Sequence, residues 1–466
     1  MLTALLILGG YTALVWIVTL LTTKASRNKE TFLAADRNIS MFTGALSIAG
    51  SWVWAPALFI AAQKAYEQGI TGVFWFLLMN VLCLVIFAPF AKKMRDKMPK
   101  GFTLSEYMRG RYGKRVHTMY MIQLLGLSTA SIAVQLLAGG MVVALITGLP
   151  FLLVTIILSA IAFSYTFASG LKASISSDWL EMGLIFLVMG ILVPMVVVRA
   201  GGIGVIADGL GGLSGNFRNL LSENGKMVFL TFGLSTSIGL LSGPFGDQTY
   251  WQRAFSIKKD KVAKAFVLGA FLFALVPLTL SLLGFVAAGI GFQTADPSTV
   301  NLQIIEHFLP AWTLIPFAFM LLGGLIGTID SQINSVTALL NDYNTGRTIG
   351  KTRLYMLLVL IIAVMIANIP GIQILYLFML YGTLRASTFL PTVISLLTDK
   401  EVSEKGVFWG ILLAIAIGLP VFAYGNLNGI TPMIWGGSLL TIFLSGGITI
   451  LITLIENSKW KLSLKS

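Results

Sequence analysis

Several oxygen-bearing side chains occur together in the segment GGLIGTIDSQINS, residues 323–335, which lies inside a long apolar stretch. If this segment is helical, Gly324, Thr328 and Ser331 share one stripe, because residues three and four positions apart lie on the same face. A carboxylate that faces lipid costs roughly 2.5 kcal/mol or more, so Asp330 must face protein or water. Hydroxyl and carbonyl oxygens suit a small alkali cation, and glycines let a neighbouring helix approach. The pattern indicates a cation site, with tight helix packing as the alternative.

The composition of the whole chain is that of a polytopic membrane protein. Of its 466 residues, 56% are hydrophobic and only 11% are charged, whereas about 25% of the residues in soluble proteins are charged. An apolar run of about 20 residues is long enough to cross the hydrocarbon core of a bilayer. Thirteen such runs are predicted, near residues 2–22, 41–64, 71–91, 116–147, 149–169, 179–198, 227–246, 265–292, 311–340, 354–369, 372–398, 406–424 and 432–455.

The net charge of +13 is explained by membrane topology and does not indicate a nucleic-acid partner. If the N-terminus is outside, 27 of the 32 Lys and Arg residues fall in inward loops, as the positive-inside rule requires. We therefore expect a multi-pass protein of the cell membrane, in contact with lipid, whose N-terminus is outside and whose C-terminus is cytoplasmic. The first apolar run lacks a basic flank and a cleavage site, and it is expected to be a retained helix and not a signal peptide.

The residue types that most enzymes and metal centres need are scarce. One cysteine, Cys83, and two histidines, His117 and His307, cannot form a zinc centre. No nucleophile, base and orienting group recur at a usable spacing, so we expect no enzyme activity. The glycine-rich segment at 201–207 connects two apolar runs and is predicted to be a flexible outside loop.

Two apolar runs carry helix-breaking residues at related positions. LSIAGSWVWAPAL, residues 46–58, contains Gly50 and Pro56, and GLSTSIGLLSGPFGDQ, residues 233–248, has three glycines before Pro244. The two runs are five spans apart and so cross the membrane in opposite directions, as an inverted five-plus-five repeat requires. Interrupted helices leave backbone groups free to bind ions and solutes, which favours transport; simple helix packing is the alternative.

Taken in order, several segments resemble the sodium:solute symporter family from about residue 30 to about residue 400. They are TFLAADRNIS, GSWVWAPALF, TLSEYMRGRYG, GLKASISSDWLE, DQTYWQRAFS, and GTIDSQINS with LLNDYN after it. The resemblance implies an all-α membrane fold of about 13 helices around an inverted five-plus-five core. It divides the chain into an extra N-terminal helix (1–25), a first repeat (40–200), an inverted second repeat (227–398), two additional helices (406–456) and a cytoplasmic tail (457–466).

The family resemblance also implies an activity and a site for its coupling ion. We expect a sodium-coupled secondary active symporter that imports a small polar organic solute by alternating access. Na⁺ would lie between the broken second span and the ninth span. The backbone carbonyls of Gly50, Val53 and Gly324 would bind it, together with the side-chain hydroxyl of Thr328.

This implied sodium site lacks one ligand. Gly327 occupies the position where many family members have a second hydroxyl, so water or Asp330 is expected to complete the shell. A further cation site is implied at Asp178 of the sixth span, with Ser331 opposite. Asp178 could bind sodium directly or take a proton, because desolvation raises the pKa of a carboxyl group and a nearby cation lowers it. A proton is therefore the alternative coupling ion.

Three segments, SWVWAPALF, GITGVFWF and DQTYWQ, are most similar to the urea-transporting branch of the family. Trp52, Trp54 and Trp75 would wall a pocket for a small, flat, neutral solute, although interfacial anchoring is the alternative role for tryptophans. The residues that would offer hydrogen bonds to this solute are Ser235, Thr236 and Ser237.

Arg385 lies 14 residues before Asp399, and hence about 21 Å into the membrane along a helix. A guanidinium at that depth needs a partner, which is either an anionic substrate or a carboxylate in a gate. Asp247 and Arg253, at the inner end of the seventh span, resemble inner-gate or loop-anchoring residues. The alternatives to sodium symport are a proton-coupled or uncoupled carrier, a channel, and a transporter-like sensor; a sensor is disfavoured because no signalling domain follows residue 456.

Overall fold

The structure, a computed structural model, describes residues 5–22, 29–343 and 349–463. Within these ranges the chain consists of helices and connecting loops, and one parallel β-bridge joins Ile39 to Ile257. The α-helices in chain order are α1 (Gly10–Thr22), α2 (Lys29–Ala34), α3 (Met41–Trp52), α4 (Ala55–Lys97), α5 (Leu104–Tyr112), α6 (Lys114–Thr147), α7 (Phe151–Ser169), α8 (Leu171–Arg199), α9 (Ile203–Gly209), α10 (Glu223–Val228), α11 (Leu234–Leu241), α12 (Gln248–Ser256), α13 (Val262–Gly289), α14 (Val300–Phe308), α15 (Leu314–Tyr343), α16 (Ile349–Ala367), α17 (Ile374–Leu397), α18 (Glu404–Leu413), α19 (Leu419–Asn428) and α20 (Thr431–Ser463). Short turns of π-helix (Leu5–Gly9, Phe229–Gly233, Ala414–Gly418) and of 3₁₀-helix (Ala35–Arg37, Pro297–Thr299, Ala311–Thr313) adjoin them.

Eight helical segments of the described chain are long and apolar enough to cross a membrane. Three shorter apolar helices add to them: Leu6–Leu21, Phe151–Phe167 and Leu354–Ala367. Two predicted spans, 41–64 and 71–91, meet within α4, which bends sharply at Gly69. Gly69 has φ of +55°, and a side chain there would meet the Leu210 carbonyl oxygen at 2.3 Å. The prediction of an all-α membrane protein is confirmed, with thirteen as an approximate count of its spans.

Both predicted helix interruptions are present. The first lies at Val53 and Trp54, between α3 and α4, where neither residue has helical φ and ψ angles. Pro56 follows in the first turn of α4 and has no N–H to offer the carbonyl four residues earlier. The second interruption, at residues 242–247, separates α11 from α12 and contains Pro244.

The interrupted helices lie inside the molecule and are surrounded by the other long helices. Helices α3 and α4 pack mainly on α13, while α15 packs on α6 and α8. Helices α18 to α20 pack chiefly on one another, and α20 also contacts α17. Apolar side chains on outer faces, such as Leu187 and Met365, are more than half exposed and suit contact with lipid.

The segment 201–207, which was expected to form a flexible loop, is largely helical. It contributes most of α9, and this helix packs on α13. A Cβ atom on Gly209 would lie 1.9 Å from the Phe285 carbonyl oxygen of α13. The expectation was wrong, because Gly209, just after the segment, and Gly289 of α13 let the two helices approach closely, and a Cβ atom on Gly289 would lie 2.0 Å from the Val205 carbonyl oxygen.

Candidate functional site

The polar stripe of α15 is buried among the helices. Thr328, Asp330 and Ser331 are at most 3% exposed. The Thr328 hydroxyl donates to the Gly324 carbonyl at 2.9 Å, and the Ser331 hydroxyl donates to the Gly327 carbonyl at 2.8 Å. A hydroxyl that donates its one proton keeps its lone pairs. The Thr328 oxygen therefore remains able to accept a cation in a region that lipid does not reach, whereas the Ser331 oxygen already accepts a hydrogen bond from Arg253.

The first helix interruption meets α15 at the predicted sodium site. A Cβ atom on Gly324 would lie 2.9 Å from the Val53 carbonyl oxygen, so glycine is what permits this approach. Thr328 lies one turn further along the same face of α15. Gly50 has other contacts. Its carbonyl accepts the Val53 N–H at 3.1 Å, and a Cβ atom on Gly50 would lie 3.1 Å from Asp178 Oδ1. The structure thus brings Val53, Gly324 and Thr328 together and places Gly50 against α8.

The implied second cation site already contains a guanidinium. Arg253 Nη2 lies 2.8 Å from Ser331 Oγ and 3.4 Å from Asp178 Oδ2, and Arg253 Nε donates to Ser47 Oγ at 3.0 Å. All four side chains are at most 1% exposed. The positive charge that the carboxylate of Asp178 needs is therefore supplied by α12. Cation binding at Asp178 and Ser331 stays a prediction that requires Arg253 to share this space or leave it.

Asp330 is held on another side of α15 from Thr328. Residues two positions apart in a helix, as Thr328 and Asp330 are, point in directions that differ by about 200° around the helix axis. Tyr165, Ser174 and Ser177, from α7 and α8, donate hydroxyl hydrogen bonds to the Asp330 carboxylate over 2.8 to 3.1 Å. This geometry corrects the expectation that Asp330 completes the shell of Thr328.

A small cavity lies where the first helix interruption faces α11 and α17, with a volume of about 10 Å³. Its lining residues are Trp54, Ser235, Thr236, Gly239, Leu240, Phe378, Met379, Gly382 and Arg385. Among the described residues, the Trp54 indole nitrogen and the hydroxyls of Ser235 and Thr236 have no hydrogen-bond partner. Buried polar groups are normally paired, so these atoms are available to a bound solute.

The other predicted solute residues lie around this cavity and do not line it. Trp52 packs behind Trp54, with ring centroids 6.2 Å apart, and its indole N–H donates to the Asn80 carbonyl at 3.1 Å. Trp75 packs on Phe229, with ring centroids 4.7 Å apart. The Ser237 hydroxyl is buried and has no partner in the described part of the chain, but Ser237 is outside the lining. Trp54 therefore lines the cavity, whereas Trp52 and Trp75 pack around it.

Arg385 borders the same cavity and contacts a carboxylate. Its Nη2 lies 2.8 Å from Asp247 Oδ2 and also donates to the Tyr381 hydroxyl. Gln332 of α15 donates to the same Asp247 oxygen at 3.0 Å. The guanidinium lies over the Tyr381 ring at 3.7 Å and over the Trp54 ring at 5.5 Å. This arrangement links α17, α12 and α15 beside the solute cavity.

A wider cavity of about 420 Å³ lies beyond Trp54 along α4. It includes polar side chains from α4 and from the loops before α14 and α17. Its lining residues are Phe59, Ile60, Gln63, Glu67, Met141, Ala295, Asp296, Pro297, Ser298, Ile372, Gln373, Ile374 and Leu375. By the predicted topology this vestibule is on the outer side, where a solute would enter.

Comparison with known proteins identifies the chain's relatives. The family described as "SSF: Sodium:solute symporter family" matches residues 32–414, which is most of the chain. The chain belongs to the sodium:solute symporter family. The resemblance seen in the sequence is confirmed, and this family and the related proteins are transporters and not enzymes.

Urea transporters are prominent among the individual proteins to which the chain is similar. The "Urea-proton symporter DUR3" of Oryza sativa subsp. japonica is 22% identical over 91% of this chain and 66% of its own length. The "Probable urea active transporter 1" of Schizosaccharomyces pombe is 24% identical over 65% of this chain and 47% of its own length. The chain thus spans less than two thirds of the length of these relatives. They agree with the predicted likeness to the urea-transporting branch.

A solved structure of a Na⁺-coupled sialic acid symporter, in a substrate-bound outward-open state, is similar to this family member. Its TM-score is 0.75 at 14% identity, and the match covers 96% of this chain and 98% of that one. An identity this low shows the fold alone. The predicted fold class is confirmed by this likeness.

Two residues of the candidate site were not predicted from the sequence. Gln135 of α6 accepts the Ala55 N–H at 2.7 Å, immediately after the helix break. Glu181 of α8 is 1% exposed, and its carboxylate lies against Gly327. A signal for Glu181 was present, since it is one turn after Asp178 in an apolar run and charged residues inside a membrane are functional candidates by default. Gln135 carried no such signal, because its partner is a backbone group that only the fold places.

Proposed function

We propose that this chain is a cation-coupled symporter that imports a small polar organic solute of the kind that urea represents, by alternating access. The observation that carries the proposal is the contact between an interrupted helix and α15, at Val53 and Gly324, beside a cavity with unpaired polar atoms. Half-helix ends and free backbone groups at such breaks are the usual place where secondary transporters bind ion and solute.

Sodium is the coupling ion that this geometry favours. The Thr328 hydroxyl and the carbonyls of Val53 and Gly324 are neutral oxygen donors, which suit a hard monovalent cation. In the described residues, no three His, Cys, Asp or Glu side chains are grouped to hold a metal ion. The family name and the sialic acid symporter support sodium, whereas the name of the rice relative supports a proton. Binding of sodium should depend on the Thr328 hydroxyl, whereas binding of a proton should not, because a proton needs no shell of oxygens.

The chemistry of the central cavity favours a small, flat, neutral solute. Its volume of about 10 Å³ is close to that of one water-sized probe, so urea itself would require side chains around the cavity to move, and a sugar or sialic acid would require larger movements. Trp54 offers a ring face and an indole N–H, and Ser235 and Thr236 offer hydroxyls. Arg385 is already balanced by Asp247, which disfavours an anionic solute. Urea, with a planar core and several hydrogen-bonding groups, fits these features.

Uptake of radiolabelled urea into proteoliposomes tests this function. An inward sodium gradient, an inward proton gradient and no gradient are compared for the unmutated protein, Thr328→Ser and Thr328→Ala. We expect sodium-driven accumulation that Thr328→Ser retains. Thr328→Ala should require a sodium concentration about tenfold higher, which corresponds to the loss of one charge-assisted contact.

The same assay distinguishes the alternatives. Accumulation that follows the proton gradient and ignores Thr328→Ala would identify a proton-coupled carrier. Flux that never saturates with urea concentration would identify a channel. A screen of thermal stabilisation by urea, amino acids, sugars and carboxylates, in sodium and in potassium, would identify the solute if urea is not transported, because a ligand that binds the folded protein raises its stability.

A further inference from the structure

Glu181 lies in the middle of α8, and its carboxylate is buried without a hydrogen-bond partner. The side chain is 1% exposed, and neither carboxylate oxygen has a partner within the described residues. The Tyr11 hydroxyl of α1 is close enough to interact with this carboxylate, although the two groups do not form a well-aligned hydrogen bond. A carboxylate in this position is unusual, because buried charges are normally paired or bind a metal ion.

The Glu181 carboxylate occupies space that two glycines of α15 provide. A Cβ atom on Gly327 would lie 1.9 Å from Glu181 Oε2, and a Cβ atom on Gly323 would lie 3.6 Å from Glu181 Cβ. Any side chain at position 327 would therefore collide with this oxygen. The glycine that removes a hydroxyl from the sodium site is also what admits a carboxylate there.

The charged groups around Glu181 do not balance its charge. Asp178 is on its own helix and contacts Arg253 of α12. Asp330 of α15 accepts three hydroxyl hydrogen bonds from α7 and α8, and the phenols of Tyr11 and Tyr165 are neutral neighbours. Three carboxylates thus share one guanidinium, and Glu181 is the one that contacts neither this guanidinium nor a set of hydroxyl donors, with only the Tyr11 hydroxyl close to it. An uncompensated charge at this depth is costly unless a mobile cation joins it.

The position of Glu181 allows one cation to contact it together with the predicted sodium ligands. The Val53 carbonyl approaches α15 at Gly324, and Glu181 Oε2 approaches it at Gly327. Side-chain positions three residues apart on a helix are about 5–6 Å from each other. A cation beside the Val53 carbonyl would also lie beside Thr328, which is one turn after Gly324 on the same face of α15.

We propose that Glu181 is a ligand of the coupling sodium ion and that its carboxylate replaces the hydroxyl that Gly327 removes. This inference rests on the proposed cation-coupled function and adds a charged member to the site. A carboxylate neutralises the bound ion, which a shell of carbonyls and one hydroxyl cannot do. It therefore explains how a site that lacks one neutral ligand can still bind sodium.

Equilibrium binding of ²²Na⁺ to the purified full-length chain tests the inference. Glu181→Gln keeps the volume and removes the charge, and it should weaken sodium binding by about tenfold or more. Glu306→Gln removes an exposed carboxylate on α14 and should leave sodium binding unchanged. Gel filtration of each variant shows whether the fold is retained.

A double variant tests the replacement itself. Glu181→Ala with Gly327→Ser restores a hydroxyl where Glu181 no longer blocks it, and it should bind ²²Na⁺ at least about tenfold more tightly than Glu181→Ala alone.

Three results would overturn the inference: unchanged ²²Na⁺ affinity in Glu181→Gln, a double variant no better than Glu181→Ala, and an unmutated protein that binds no ²²Na⁺. The third result is separable from failure of the proposed function, because solute uptake driven by a proton gradient in the same preparation would still show coupled transport. Conversely, intact ²²Na⁺ binding without solute uptake would leave Glu181 as a ligand and would refute the solute.

Discussion

Two arginines lie deep among the helices, and each contacts an aspartate from another helix. Arg385 of α17 contacts Asp247 at the start of α12, and Arg253 of α12 contacts Asp178 of α8. In both pairs each side chain is at most 3% exposed. Such pairs gain little over an apolar pair, but removing one partner leaves an uncompensated buried charge. They therefore fix which helix faces which more than they raise stability.

The pair of Arg385 and Asp247 gives a direct test of this view. Arg385→Gln and Asp247→Asn should each lower the free energy of unfolding by about 3–5 kcal/mol, because each leaves one charge unpaired. The double variant should lose less than either single variant, since no buried charge remains. Thermal unfolding of the purified proteins measures all three. Equal and additive losses would show that the two side chains do not depend on each other.

The tryptophans at the helix break differ in role, although the sequence presents them as a pair. Trp52→Phe should destabilise the protein by about 1 kcal/mol, because it leaves the Asn80 carbonyl without its indole donor. Trp54→Phe loses no hydrogen bond of the described protein and should instead raise the KM for the solute severalfold. Unfolding and concentration-dependent uptake, measured on both variants, separate these effects. A higher KM in Trp52→Phe, with Trp54→Phe unaffected, would reverse the assignment.

Residue types and helical spacing were sufficient to predict that Thr328 and Gly324 share a face, and the structure places Gly324 at the helix break. They were not sufficient to place Asp330. A carboxylate in an apolar run signals a buried polar environment, but its partners, Tyr165 and Ser174, come from helices far away in sequence. Glu181 was missed for the same reason, since its importance depends on what Gly327 leaves open on another helix.

At the scale of elements, the interruption between α3 and α4 is the feature on which the site depends. The break leaves the first N–H groups of α4 without helical partners, as at any helix start. Trp54, at the N-cap, makes no side-chain cap bond. Gln135 of α6 takes this role and accepts the Ala55 N–H at 2.7 Å. This hydrogen bond from a different helix fixes the start of α4 relative to α6.

Removing this cap should loosen the break. Gln135→Leu leaves the Ala55 N–H buried and unpaired, and it should cost about 1–3 kcal/mol of stability and weaken both ion and solute binding. Thr129→Val is a matched control on α6, because the Thr129 hydroxyl donates only to the Leu125 carbonyl of its own helix. Thermal unfolding and sodium-dependent uptake compare the two variants. Similar behaviour of both would show that the cap is not specific to the break.

Hydropathy predicted the helical spans because each span must satisfy its own backbone in lipid. It could not predict the form of the connections. The run of α4 continues from Ala55 to Lys97 with one bend at Gly69, and the segment at 201–207 is largely helical where a loop was expected. Gly69 at the bend, and Gly209 just after the segment 201–207, allow close backbone contact. Such a contact requires a partner from another part of the chain, which the hydropathy of one segment does not report.

At the scale of the whole molecule, the distribution of basic residues relates the fold to the membrane. Of the 32 Lys and Arg residues, 27 fall in loops on one predicted side, which the positive-inside rule assigns to the cytoplasm. The loop that follows α4 is predicted to be on that side, and the loop around α10 is predicted to be on the other. The inner side is also where Asp247 and Arg253 are predicted to form the gate, so the vestibule that includes Gln63 would open outward.

Cysteine labelling tests this orientation, and the chain is well suited to it. Its one cysteine, Cys83, is fully buried and should react little, so reporters can be added without removing it. Lys226→Cys and Lys100→Cys place exposed thiols on the predicted outer and inner sides. A membrane-impermeant maleimide applied to intact cells should label Lys226→Cys and not Lys100→Cys, and permeabilisation should expose both. The reverse labelling pattern would show that the membrane orientation is opposite to the predicted one. The vestibule would then be the cytoplasmic exit, and the contact of Arg385 with Asp247 would belong to an outer gate.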